Sequence, residues 1–323
     1  MRNSDLVVKL DSGTVFKRPC VLAVGIFDGM HIGHMRVVKT ARRLAEKFGA
    51  IPCVLTFSPH PSHVIPMHKG SVKMIYDGLL RAETFRRSGV SLVFVKKFDR
   101  RFAAMSPESF AKMLRRVFPN LRGIVTGFNF VFGRGAEGDV STLRELSEKF
   151  GWAYISVGGI FRNGERVSST RLRNALSAGD MATYAKLAGC PYMAFGNIVG
   201  GRKIGRKIGF PTLNLPWAPE CRPPYGVYAV VLERGNRLYK GVANYGVSPT
   251  FGKTEPSIET NLFEPVCFGK GSKVKVSLLK FLRPEERFES VEELKERISK
   301  DKEAARAFFA RHKKMWGPLP QRL

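Results

Sequence analysis

Gly25-Ile26-Phe27-Asp28-Gly29-Met30-His31-Ile32-Gly33-His34 lies between a short apolar run, Val21-Leu22-Ala23-Val24, and a segment in which Val37, Val38, Ala41, Leu44 and Phe48 recur at helical spacing. The run reads as a buried strand and the segment as a helix. A strand that breaks at glycines and opens a helix makes an anion site. Glycine lets a phosphate approach the backbone, and the helix N-terminus offers unpaired N–H groups and a positive dipole end. His31 and His34 stand at that end, where imidazoles can donate to phosphoryl oxygens as negative charge builds during transfer. The stretch reads as a nucleotide-phosphate site. Two plainer readings stand beside it. His-x-x-His is half of a zinc site, although no Cys or His cluster at ligand spacing supplies the other half. Two histidines at a helix start can also be ordinary surface residues.

Further along, Cys53-Val54-Leu55-Thr56-Phe57 is a second strand, stopped by Pro59 and Pro61. Leu92-Val93-Phe94-Val95 is a third and Ile124-Val125-Thr126 a fourth. Ser106-Pro107 starts a helix with Phe110, Met113, Leu114 and Val117 on its apolar face. The alternation predicts a parallel sheet with helices on both faces and ligands beyond the carboxyl ends of the strands. Gly127-Phe128-Asn129-Phe130-Val131-Phe132-Gly133 leaves one such end. Asn129 can donate to a phosphate or ribose without adding charge. Arg166-Val167-Ser168-Ser169-Thr170-Arg171 joins hydroxyls at a helix start to guanidinium forks. Taken singly, these strings are equally an ordinary strand end and an ordinary capped helix. That helix runs through Leu176 towards Gly179, and the next, from Ala182 to Leu187, ends at Gly189.

Beyond Cys190-Pro191 the pattern changes to short strands with Gly and Pro turns: 194–199, 226–232, 238–244, 258–263 and 274–282. This predicts an antiparallel barrel, with the boundary between residues 189 and 190. Gly201 to Asn214 holds a Gly-Arg-Lys-Ile doublet followed by Phe210-Pro211-Thr212-Leu213-Asn214. A basic, glycine-rich loop suits a polyphosphate, and is also compatible with a solvated charge run or an RNA contact. Thr212 and Asn214 share one face of an extended chain and offer hard oxygen ligands for Mg²⁺. Glu259, the acidic residue in a strand between Ile258 and Leu262, can orient or deprotonate a hydroxyl, or simply face solvent. A final helix starts at Ser290 with Glu293 completing a capping box, and Val291, Leu294, Ile298, Ala305 and Phe308 form its inward stripe.

These motifs, in this order, resemble those of the bacterial bifunctional riboflavin kinase/FMN adenylyltransferases. Gly25 to His34 is similar to their His-x-Gly-His element, Ser168 to Arg171 to the Ser-Ser-Thr signature of nucleotidyltransferases, and Gly209 to Asn214 to the Pro-Thr-Ala-Asn signature of riboflavin kinases, with Leu213 replacing Ala. Asn129, Asn261 and Phe268 stand where relatives usually carry Asp, His and Tyr. The resemblance implies a Rossmann-like α/β nucleotidyltransferase domain over 1–189 and an all-β kinase barrel with a terminal helix over 190–323. Riboflavin would be phosphorylated by ATP in the second, and FMN adenylylated by ATP in the first. In the first, ATP would lie against Gly25, Phe27, Asp28, His31, His34, Ser168, Ser169, Thr170 and Arg171, with His31, His34, Asn129 and Arg166 stabilising charge. In the second, Gly205, Lys207, Gly209, Pro211 and Thr212 would hold ATP, Thr212 and Asn214 the Mg²⁺, and Glu259 would be the base. Phe57, Asn129, Arg283 and Phe288 would meet flavin.

The chain of 323 residues has a formal net charge of +27, enough to bias it towards nucleic acid, anionic membrane or phosphorylated ligands. The basic residues are dispersed, no RNA-module signature with interleaved aromatics occurs, and no run approaches the ~18 apolar residues of a membrane span. The expected partners are therefore small molecules, not nucleic acid or membrane; the oligomeric state stays open. Five scattered cysteines without CxxC spacing predict reduced thiols. With no apolar signal core after Met1, the cytoplasm is the expected compartment. An adenylyltransferase whose second domain only binds flavin is a rival, but it should lack Thr212, Asn214 and Glu259. A nucleic-acid-binding protein is a second rival, and should lose affinity steeply with salt.

Overall fold

In the central strand β2 (Cys20–Val24) every residue is buried, as in a parallel sheet covered on both faces. The computed structural model describes residues 6–65, 71–76, 78–201, 205, 208–247 and 255–312. Among them, β2 lies in a parallel sheet with β1 (Val7–Leu10), β3 (Ile51–Ser58), β4 (Leu92–Lys97), β5 (Leu121–Gly127) and β6 (Ala153–Val157), in the order β1-β4-β3-β2-β5-β6. From β2 the chain winds one way through β3 and β4 and the other way through β5 and β6. The reversal between β2 and β5 opens the crevice in which such sheets bind ligands.

Helix α1 (Ile32–Lys47) packs on β2, β3 and β5. Helix α2 (Gly78–Arg87) precedes β4, and a short helix α3 (Arg100–Ala103) follows it. On the face opposite α1, Phe110, Met113, Leu114 and Val117 of α4 (Pro107–Val117) and Leu143 of α5 (Val140–Phe150) close over Cys20, Leu22, Val24, Cys53 and Leu55. Ser106 caps α4 by accepting from the Ser109 N–H, as its spacing predicts. The stripe expected on α1 ends early: Phe48 falls past the last turn and is 41% exposed. Edge strands β1 and β6 are short runs of four and five residues, and neither they nor α2, α3 and α5 follow from the spacings above. A two-residue hairpin, β7 (Phe161–Arg162) and β8 (Glu165–Arg166), follows β6.

Contacts divide the chain between Ser169 and Thr170, ahead of the break read at residue 190. Helices α6 (Ser169–Ser177) and α7 (Met181–Ala188) thus fall almost wholly in the second unit, α7 because it packs on β9 (Tyr192–Asn197) and β14 (Lys273–Pro284). Between those strands in sequence come β10 (Leu213–Pro216), β11 (Gly226–Arg234), β12 (Arg237–Gly246) and β13 (Ser257–Leu262). The antiparallel order is β10-β13-β12-β11-β14-β9, and a bridge between Val199 and Asn214 nearly closes the barrel. Tyr228, Val230 and Leu232 of β11 are buried on one face, while Val227, Ala229 and Val231 face helix α8 (Val291–Arg311) through Ala305 and Phe309. Ser290 and Glu293 cap α8 as predicted. Val291, expected in its buried stripe, is 48% exposed, and Asp301 is buried there instead.

Candidate active sites

The β2–α1 turn is strained where it meets the first candidate site. Phe27 and Met30 have left-handed backbones, φ 54 and φ 40, a conformation that costs a residue with a side chain about 1–2 kcal/mol. The turn is pinned from three sides. Thr56 Oγ1 donates to the Ile26 carbonyl, the Ile75 N–H to the Asp28 carboxylate, and Ser169 Oγ to the Asp28 carbonyl. Asp28 is buried, so its carboxylate is engaged in holding the turn. Gly25 packs against the Phe27 ring, where a Cβ would lie 3.2 Å from Cζ.

His31 caps α1. Its Nδ1 accepts from the His34 N–H at 3.1 Å, so the neutral ring carries its proton on Nε2. The His31 and His34 rings stack with centroids 3.6 Å apart, and Phe27 meets His34 edge-on. The intervening glycine leaves room for this stack, since a Cβ on Gly33 would lie 3.0 Å from the His31 ring and the ring would have to shift. Burial pushes the His31 imidazole down to about 4, and the Arg166 charge acts in the same direction. Burial, and then the neighbouring His31, hold His34 well below the usual imidazole range. Both rings are therefore neutral donors near pH 7. His34 Nδ1 is buried and has no hydrogen-bond partner among the described residues.

Arg166 ends β8 with its guanidinium 5.5 Å from the Phe128 ring centroid. Asn129 is exposed just beyond β5, on the other side of the crevice from the β2 turn. Thus β2, β5 and β8 bring His31, His34, Asn129 and Arg166 to the sheet's switch point. Ser168 is half-buried before α6, and Thr170 and Arg171 continue the first turn that Ser169 opens. Phe57 is 7% exposed at the end of β3, its ring packed on Phe98 and Phe102.

On the barrel, strand register does what spacing could not. Asn214 pairs with Glu259, Glu259 with Asn244, Asn244 with Val227, and Val227 with Arg283. Directly paired residues share a face, so Asn214, Glu259 and Asn244 form one polar row on the outer face that α8 partly covers. Thr212 precedes β10 by one residue and lies beside Gly205, whose position is closed to a Cβ by the Phe210 carbonyl. The Phe210 N–H donates to the Gly205 carbonyl, forming the turn before Pro211. Gly209 is exposed with φ 89, and Lys207 lies outside the described residues. Arg283 donates to both carboxylate oxygens of Asp301 on α8, and Phe288 lies over its guanidinium at 5.9 Å. Sequence reasoning missed Asn244 and Asp301. An Asp inside an otherwise apolar helix stripe is the signal that could have found the latter. Among the described residues no cluster of three or more His, Cys, Asp and Glu could hold a metal.

A phosphate-directed crevice on a doubly wound sheet, joined in one chain to a barrel with a carboxylate–amide row, defines a transferase with two nucleotide-dependent sites. The FAD synthetase family profile matches residues 14–171 and the riboflavin kinase profile residues 188–309. The bifunctional riboflavin kinase/FMN adenylyltransferase of Bacillus subtilis is 36% identical over 91% of this chain and 94% of its own length. That of Escherichia coli is 34% identical over 90% and 93%. The crystal structure of a protein described as a macrolide-efflux protein from Streptococcus pneumoniae matches with a TM-score of 0.81 at 28% identity, over 93% of this chain and 99% of that one. The chain belongs to the family of bifunctional riboflavin kinase/FMN adenylyltransferases. It phosphorylates riboflavin with ATP and then transfers an adenylyl group from ATP to FMN, giving FAD and pyrophosphate. No described helix is long and apolar enough to cross a membrane.

Proposed function

We propose that Glu259 is the base of riboflavin phosphorylation and that the His31–His34 pair stabilises charge during adenylyl transfer. The observation that carries the first assignment is the register placing Glu259 directly opposite Asn214 on one outward face. A primary hydroxyl needs a carboxylate within hydrogen-bond reach to orient it and take its proton. Asn214 and Thr212 supply neutral oxygens beside that carboxylate, a hard donor set that fits Mg²⁺. Bound there, the ion would neutralise ATP's phosphate charge. Gly205, Gly209 and Pro211 form the backbone against which those phosphates lie, with Lys207 adding charge. Arg283, fixed by Asp301, and Phe288 bound the flavin.

In the adenylyl transfer the FMN phosphate oxygen attacks the α-phosphorus and pyrophosphate leaves. The nucleophile is already anionic, so no general base is needed. His31 donates from Nε2, and His34, Arg166 and Asn129 add donors and charge where it develops. Gly25, Phe27 and Asp28 shape the turn beneath the nucleotide, while Ser168, Ser169, Thr170 and Arg171 meet its phosphates. Phe57, through its packing on Phe98 and Phe102, backs the flavin end. The functional boundary falls near residue 190, a placement supported by profile matches ending at 171 and resuming at 188. The compartment is the cytoplasm. The test is chromatography of riboflavin incubated with ATP, Mg²⁺ and the Glu259→Gln or His31→Ala variant. Glu259→Gln should leave riboflavin unconverted yet turn supplied FMN into FAD, and His31→Ala should stop at FMN. Conversion of riboflavin to FMN at the unchanged rate by Glu259→Gln would remove the base assignment.

A further inference from the structure

Asn261 lies on β13 two residues beyond Glu259 and is 5% exposed. Its Nδ2 donates to the Pro211 carbonyl at 2.8 Å, and its Oδ1 is buried without a partner among the described residues. Burying an amide with one end unsatisfied is costly, and an apolar residue would fill the position without that cost. The bond that is made therefore deserves the explanation. It joins the strand that carries Glu259 to the turn leading directly into Thr212. Among the described residues that turn has few other backbone handles: Pro211 has no N–H, and the Phe210 N–H is already given to the Gly205 carbonyl. Residues two apart on a strand share a face, so β13 presents Glu259 and this anchor side by side.

We propose that Asn261 is a positioning residue of the kinase site: its amide pins Pro211 and so holds Thr212 and Asn214 in place beside Glu259 for Mg·ATP. The proposal rests on the reading of those three residues as the kinase site. It is tested on the full chain with Asn261→Asp and Asn261→Ala, following riboflavin phosphorylation as a function of Mg·ATP, riboflavin and pH. Asn261→Asp is isosteric, but an ionised carboxylate cannot donate to Pro211, whereas a protonated one can. At pH about 8 it should raise KM for Mg·ATP roughly tenfold or more. Because burial raises a carboxyl pKa, that deficit should shrink as pH falls through about 6. Asn261→Ala should show the same rise at every pH. In both, KM for riboflavin and adenylyl transfer to supplied FMN should stay near those of the unchanged protein.

The proposal is overturned if both variants keep the original KM for Mg·ATP, or if the Asn261→Asp deficit does not change with pH. Should Asn261→Asp fail to fold, as judged by thermal unfolding, Asn261→Ala decides through the split between the two KM values, which loss of fold would not produce. Glu259→Gln, run alongside, separates the two readings. If it phosphorylates riboflavin normally, the kinase-site reading has failed. If it does not, and the Asn261 variants behave like the unchanged protein, only the positioning role has failed.

Discussion

His31 does three things with one ring: it caps α1, stacks on His34 and stays neutral because it is buried. Its folded pKa of about 4 lies below the ordinary 6.5. As pH falls, the unfolded chain takes up that proton first, so this contribution to stability is complete above pH 6.5 and is lost progressively towards 4. The first unit should lose up to roughly 2 kcal/mol from this group between pH 7 and 5. Denaturant unfolding at the two pH values checks this. His31→Asn, which keeps a capping acceptor but does not titrate, should flatten the dependence in part, His34 supplying the remainder. Replacing His31 by Ala removes the Nε2 donor, and adenylyl transfer from ATP to FMN should fall by about 100-fold or more, measured as initial rate of FAD formation. Riboflavin phosphorylation should be unchanged in the same preparation.

Among elements, α8 is the one whose role spacing misjudged. Its helical period was legible, but the period cannot show that an acidic residue belongs on the buried side. Arg283 and Asp301 meet there with side chains 10% and 8% exposed, and each explains the other's burial. Removing one partner leaves an uncompensated buried charge, so Asp301→Ala should destabilise the second unit by about 3 kcal/mol. Thermal unfolding should show that loss, together with a higher KM for riboflavin and an unaffected FMN adenylylation. The first unit was the more readable of the two. Its strand–turn–helix joints put Gly25 to His34, Asn129 and Ser168 at strand ends or helix starts, which local sequence marks with glycine, cap residues and a change of period. Edge strands β1 and β6, four and five residues long, are too short to establish a period of their own. Glu259 was legible as a residue but not as a neighbour of Asn214, since nothing local fixes the register of β10 on β13.

For the whole molecule, the consequence is two chemistries joined in one chain. Glu259→Gln and His31→Ala should each block FAD formation from riboflavin, one before FMN and the other after it. Mixed, the two variants should restore FAD if FMN leaves the chain that makes it; chromatography of the mixture decides it. Absence of FAD from the mixture, with both single activities intact, would show that FMN does not leave the chain that makes it.

The sequence by itself determined the alternation that makes a parallel sheet, the shift to short strands that makes a barrel, and the motifs that carry phosphate chemistry. These are set by nearest neighbours in the chain: periodicity, capping, and the few residues that tolerate a sharp turn. Only the tertiary structure decided that His31 and His34 stack and are neutral, that Glu259 faces outward beside Asn214, that Asn261 holds Pro211, and that Asp301 holds Arg283. Each depends on register, burial or contact between segments far apart in sequence. A side chain's charge state and partners follow from what surrounds it in space.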